Sequence, residues 1–462
     1  MPPCSRPTET PVTCFAPRIN LIPEPSPRRA GWRRSLQALF LASLLLPQGV
    51  MAGPRQLITA GSGDPTGCTE TALRAALSVA AAAGGGTITF NCGLAPATIT
   101  LSQSTNINGM KVLLVIPNNT TIDGGSLITL DGTRSGMIAL VDKGSTVVLR
   151  NITIANGLAL DQATLAGGIA NLGTLTVVNS TVSLCGSMFG GGFWNQGTLT
   201  ITDSTLFQNG SGFAGGGGIL NSGALTIQGT TFDSNGTALD GGAILNEGLG
   251  PIVIRESAFS MNRAENGGGG AIFGSNVTID RSSFTGNSAF MGGALYGGDV
   301  SIEWSTFTSN VASKGGGIIA GGTVTIDHST FSQNGAVDEG GAIATNPISS
   351  GTLTVNHSTF TSNEVTLFGG GIFVGAGFIG SINHSTMSEN NAGGLGGGIF
   401  MAGSSSLALD HSTITANVAS SGGGIFVCQE SPVPPQAPCN GSGTLTLTHS
   451  SVTGNTPDDI AP

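Results

Sequence analysis

Short runs in which apolar and polar residues alternate recur through most of the chain, such as Leu225-Thr226-Ile227 and Leu353-Thr354-Val355. A period of two marks a strand with one buried face, and no segment between these runs is long or periodic enough for a helix. Each run belongs to a larger unit. The clearest reads Gly315-Gly316-Gly317-Ile318, then Thr323-Val324-Thr325-Ile326, then Ser329-Thr330-Phe331-Ser332-Gln333-Asn334. Its terminal Asn returns as Asn156, Asn209, Asn235, Asn262, Asn287, Asn310, Asn334, Asn363, Asn390, Asn417 and Asn455, with Cys185 in the slot between the first two. Three residues earlier stands an apolar partner: Leu206, Phe232, Phe259, Phe284, Phe307, Phe331, Phe360, Met387, Ile414 and Val452.

Three short strands separated by Gly or Asn bends in about 25 residues describe one coil of a parallel β-helix. The fold expected is therefore all-β, a right-handed solenoid of about 12 coils, its hand following from the crossover rule for parallel strands. Coils about 4.8 Å apart stack like residues on like. A Phe column from Phe232 to Phe360 buries ring on ring, and an Asn column links amide N–H to amide C=O from coil to coil. Residues 53–155 are expected to form an N-terminal cap and the first coils. There Leu73 and Leu77 lie four apart in the Ala-rich stretch Thr71 to Ala83, which predicts a short helix stopped by Gly84-Gly85-Gly86. The repeats fill 156–455, and 456–462 form a tail with no comparable cap.

Composition changes this picture little. Of 462 residues 75 are Gly and 21 Pro, but 39% are apolar and only 9% charged, which excludes a disordered chain, and no G-X-Y period points to collagen. Residues 1–52 are expected to be leader and signal peptide: Arg28, Arg29, Arg33 and Arg34 precede the apolar run Leu36 to Leu46, and Val50-Met51-Ala52 closes it. The run is too short to span a bilayer. Without this leader 10 basic and 24 acidic residues remain, a net charge of −14, so nucleic acid is not an expected partner. For an exported chain, proximity pairs Cys68 with Cys92 and Cys428 with Cys439, and leaves Cys185 over as a buried apolar residue.

The segments Gly241-Gly242-Ala243-Ile244, Gly269-Gly270-Ala271-Ile272, Gly292-Gly293-Ala294-Leu295 and Gly340-Gly341-Ala342-Ile343 alternate with Phe-x-x-Asn, as in Phe284 to Asn287. They resemble the paired repeats of polymorphic outer membrane proteins. Cys68-Thr69-Glu70-Thr71-Ala72-Leu73-Arg74-Ala75 is similar to a degenerate "CSLREA" segment, which precedes many secreted bacterial parallel β-helices. The resemblance, over residues 57–455, implies a pectin-lyase-like fold and a secreted or outer-surface protein with an adhesin or passenger role. The wider fold also houses polysaccharide lyases and hydrolases. Autotransported members add a C-terminal membrane barrel, whereas only seven residues follow Asn455.

All five histidines, His328, His357, His384, His411 and His449, fall six residues before a ladder Asn. Stacked imidazoles suit a transition metal, with Asp327 and Asp410 beside two of them. The same column holds Asn179, Asp203, Gly229, Glu256, Arg281 and Trp304. Several of these types tolerate left-handed backbone, so a tight bend without metal is the simpler expectation. For carbohydrate chemistry, Asp161, Asp240 and Glu339 share one position but lie several coils apart, too far for joint action, and Glu265, Lys314 and Asp338 lack an acidic neighbour at matching height. They are expected to be solvated loop charges. No catalytic residue, cofactor or resident metal is assigned.

Phe213, Phe290, Phe368 and Leu395 are expected to face outward as candidate contacts. The Pro-rich insertion between Cys428 and Cys439, with Gln429-Glu430-Ser431-Pro432, is the strongest candidate for a specific one. The expected function is a non-enzymatic secreted or cell-surface scaffold, adhesin-like, meeting a protein or glycan. The competing expectation is a polysaccharide-active lyase or hydrolase. End-to-end self-association through the last coil is a third.

Overall fold

The computed structural model describes residues 56–462 apart from 161–164, 214, 249, 347–349 and 430–438. The expected signal peptide, Asp161 and most of the Pro-rich insertion fall outside the described residues.

Strands form because every second residue is apolar, and they close into coils because left-handed bends separate them at fixed positions. One coil shows how. Strand β1 (Ile318–Ala320) lies in a 15-stranded sheet, β2 (Thr323–Asp327) and β3 (Thr330–Ser332) in a 27-stranded sheet, and β4 (Gly335–Glu339) in a short third sheet. Each strand pairs in parallel with its counterpart one coil on, Val324 opposite Leu353 and Phe331 opposite Phe360. About 13 such turns stack as a right-handed parallel β-helix.

Val324 and Ile326 of β2 point inward and are buried, while Thr323 stands outside. At His328 the backbone turns left-handed, φ 46°, and the next residue fastens the corner. The Ser329 hydroxyl donates to the Asp327 carbonyl at 2.8 Å. From Ser257 to Ser450 each backbone N–H at this corner donates to the hydroxyl oxygen of the next coil at 3.0 to 3.2 Å. Inside, the Phe232, Phe259, Phe284, Phe307, Phe331 and Phe360 rings stack with centroids 4.6 to 5.0 Å apart. Each is fully buried and contributes on the order of 1.5 to 3 kcal/mol by area.

The second corner carries the Asn ladder. From Asn209 to Asn455 each Nδ2 donates to the next Oδ1 at 2.9 to 3.0 Å. Asn156 does not belong to it. The register sets Ser183 opposite Ala155, so Gly157 is the residue level with Cys185. Asn156 occupies the left-handed bend one step earlier, φ 59°, and its amide donates to Asp131. Glycine closes each coil for a steric reason. Gly340 has φ 62°, and a Cβ there would collide with the carbonyl oxygen of Ile343.

Helix α1 (Glu70–Ala82) covers the first coil, as the Ala-rich stretch predicts. The Thr69 hydroxyl accepts from Ala72 N at 3.2 Å to start it, and Gly84 and Gly85 follow its end with positive φ. Its own Leu73, Leu77 and Ala80 are buried, and the Cys68–Cys92 disulfide ties its entry to the first strands. The tail also differs from expectation. Ile460–Ala461 pairs with Ile425–Phe426, and Asp459 accepts hydrogen bonds from the last ladder Asn, so the final coil does carry a closing element. Among the described residues no helix is long and apolar enough to cross a membrane.

Candidate functional site

The outer corner between β2 and β3 and its equivalents carry the column of five histidines. From Asn179 to His449 every residue of that column has φ between 45° and 58°. A shared left-handed bend therefore explains why Asn, Asp, Gly and His recur there, while Glu256, Arg281 and Trp304 show that stacking holds less tolerant types in the same backbone. Six rings stand in one file. Trp304 lies on His328 at 4.0 Å between centroids, and the successive imidazoles follow at 4.7, 5.2, 4.9 and 4.7 Å.

Carboxylates break the uniformity of this file. Asp327 Oδ1 lies 2.9 Å from His328 Nδ1 and 3.4 Å from His357 Nδ1, while Asp410 Oδ1 lies 2.8 Å from His411 Nδ1 and 3.6 Å from His449 Nδ1. These are two copies of one arrangement: a carboxylate, the imidazole beside it, and the imidazole one coil on. At the intervening coils Asn356 and Asn383 replace Asp and pair with each other at 2.8 Å, next to His384.

The remaining candidates are dispersed. Asp240 Oδ1 accepts from Gly268 N at 2.7 Å and serves the loop. Lys314 and Glu339 are not isolated: they face each other from adjacent coils at 2.9 Å, with Glu339 buried and its Oε2 unpartnered. The sequence hides this pair because a bulge displaces the register between Ala312 and Lys314. Glu265 faces Arg263 at 3.7 Å, both exposed. The Cys185 thiol is buried, and that burial pushes its pKa up to about 12.

The edge formed by the third sheet and its following bend carries exposed apolar side chains. Phe213 and Phe290 face outward as expected, joined by Val311, Val337, Leu367 and Val418, all 40 to 60% exposed. Phe368 and Leu395 do not: both are half-buried, and the Phe368 ring tilts onto Phe400 at 5.0 Å, over the outer face of the 15-stranded sheet. A groove of ≈ 310 Å³ runs along this edge between Arg263, Phe290, Val311 and Val337. Cys428 and Cys439 form the second disulfide, and the segment it closes lies outside the described residues from 430 to 438.

One feature escaped sequence reasoning. Asn171, Asn195, Asn221 and Asn246 form a second amide ladder at the end of the 15-stranded sheet, each Nδ2 donating to the next Oδ1 at 2.6 to 2.7 Å. Its trace in the sequence is an Asn ending the short strands Ile169–Asn171, Phe193–Asn195, Ile219–Asn221 and Ile244–Asn246.

Residues 218–380 match the family model described as "Right handed beta helix region". No curated protein sequence matches the chain. Among solved structures, a surface adhesin of Streptococcus pneumoniae, PfbA, is similar at 11% identity, over 86% of this chain and 93% of that one, with a TM-score of 0.41. The A-module of the Azotobacter vinelandii mannuronan C-5 epimerase AlgE4 is similar at 12% identity, over 85% and 98%, TM-score 0.41. The catalytic unit of an α-1,3-glucanase from Streptomyces thermodiastaticus follows at 13%, over 87% and 69%, TM-score 0.42. Likeness at this level assigns no activity, and the fold rests on the strand register itself. The chain is a right-handed parallel β-helix whose central coils match that family model.

Proposed function

We propose that the protein is an exported, non-enzymatic scaffold that meets a protein partner at the cell surface through its apolar edge, as an adhesin does. The observation that supports this is the run of exposed Phe213, Phe290, Val311, Val337, Leu367 and Val418 along one side of the rod, with the groove among them. Scattered apolar residues are ordinary on a surface, but several on one edge form a patch suited to a partner's apolar surface. Aromatic anchors in a groove are typical of the energetic centre of an interface. The two disulfides fit an oxidising compartment, as does the basic and then apolar leader ending near Ala52.

The test is binding of the purified protein to whole bacterial and host cells and to protein and glycan arrays, beside a Phe290→Asp, Val311→Asp double variant that melts like the parent. Retention on protein surfaces that the double variant loses supports the proposal. Retention on glycans alone overturns the choice of a protein partner. Depolymerisation of pectin or alginate, seen as unsaturated product or new reducing ends, overturns the non-enzymatic reading and favours a polysaccharide-active enzyme.

A further inference from the structure

We propose that the two groups Asp327, His328, His357 and Asp410, His411, His449 are binding sites for a divalent transition-metal ion of the zinc, nickel or copper class. The left-handed corner accounts for which residue types occupy the column. It does not account for where the side chains point. In each group the Nδ1 atoms of imidazoles on consecutive coils turn to the same carboxylate oxygen, and the donor atoms of each group lie within 4.8 Å of one another.

The distances suit an ion. Ligands bonded at about 2.0 to 2.2 Å around a tetrahedral or octahedral centre stand roughly 3.0 to 3.4 Å apart. The carboxylate to imidazole separations are 2.9 and 3.4 Å in the first group and 2.8 and 3.6 Å in the second. Two imidazoles with one carboxylate favour borderline metals over calcium or magnesium, which take oxygen donors. Binding at Nδ1 requires the neutral imidazole with its proton on Nε2. The six side chains are between 34 and 70% exposed, so an ion can reach each group and water can complete its coordination.

The coils between the groups make the point by contrast. Asp327, Asn356, Asn383 and Asp410 are in register, and only the two Asp positions gather imidazole nitrogens. Asn356 and Asn383 bond to each other, and among the described residues His384 joins no such carboxylate group. Three coil steps separate Asp327 from Asp410, about 14 Å at the spacing of paired strands. The sites are therefore independent, and the chain should take one ion at each.

The experiment is titration of chelator-stripped protein with Zn²⁺ by calorimetry, with metal analysis after dialysis. The expected result is two ions per chain. Asp327→Asn with His357→Asn should leave one, and adding Asp410→Asn with His449→Asn should leave none, because each pair of changes removes two of the three ligands at its site. Asn is the chosen replacement because Asn179 already holds the histidine bend at φ 45° and Asn356 and Asn383 already stand at the Asp position, so the variants should keep their circular dichroism and melting temperature. A second readout is site-specific. Because Trp304 lies on His328, Cu²⁺ should quench its emission in the parent and in the Asp410, His449 variant, but not in the Asp327, His357 variant. Zn²⁺ binding that survives all four substitutions, failure of the parent to bind Zn²⁺, or Cu²⁺ quenching indifferent to Asp327 and His357 would overturn the proposal.

Discussion

Asn455 donates its backbone N–H and its side-chain amide to a single oxygen of Asp459, at 2.9 and 3.0 Å. Every earlier Asn of the ladder makes the same two bonds to the Asn one coil on, as Asn417 does to Asn455. Asp459 thus stands where the next asparagine would be. A carboxylate suits the end of the file, because it is asked only to accept.

Asp459→Ala should leave both donors of Asn455 without that partner and cost about 1 to 3 kcal/mol, whereas Asp459→Asn should cost little. Hydrogen exchange of the amides from 444 to 455 reads this directly. Faster exchange confined to the last coil in the alanine variant is the expected result; exchange equal to the parent would show that water replaces the cap.

Phe284 sits in the middle of the ring stack, 4.7 Å from Phe259 and 4.6 Å from Phe307, with no exposed surface. Phe284→Ala should destabilise by about 3 to 5 kcal/mol, and Phe284→Leu by much less, since Leu206 fills the same column near its start. The urea midpoint measures the difference. A loss under about 1 kcal/mol for alanine would show that neighbouring coils collapse into the space.

Burial by itself would raise the Glu70 carboxyl, but the backbone N–H groups of Ser102 and Gln103, the Arg74 guanidinium and the Ser102 hydroxyl outweigh it and hold the pKa below its ordinary 4.5. A depressed pKa in the folded state gives stability that is complete above the unfolded value and is lost as pH falls through the folded one. Melting temperature should drop as pH falls below the ordinary 4.5, and Glu70→Gln should flatten that slope while lowering the melting temperature at neutral pH. Asp123, held low against its own burial by Asn151, Gly125 and Arg150, contributes in the same direction, so some slope should remain.

Cys185 offers a kinetic test of rigidity. With its thiol buried and its pKa near 12, iodoacetamide at mildly alkaline pH should leave it unlabelled until the protein is unfolded. Cys185→Asn should be tolerated, since its backbone N–H already donates to Asn209 Oδ1 and an amide there would extend the ladder. Rapid labelling of the native protein would show that this coil opens locally.

Much of the architecture is legible in the amino-acid sequence because identical coils stack in register. A residue's distance from the ladder Asn gives its column, and the column gives its neighbours. That is why the Phe file, the His file and the ladder from Asn209 onward were visible as repeats, together with the capping helix. Asn156 shows the limit: a shift of one residue moves a side chain from the buried ladder to the exposed bend, and only paired strands reveal that shift.

What the tertiary structure alone decided lies where coil length varies or where contacts cross between coils. Lys314 meets Glu339 across a bulge, Phe368 folds onto Phe400 where Phe290 stays outside, and Asp327 reaches the imidazoles of two coils. The sequence by itself determined the periodic backbone, because burial and hydrogen bonding reward the same residue at the same place in every coil. The direction taken by a side chain at a bend depends instead on the neighbouring coil's particular residues, and those contacts exist only once the coils are stacked.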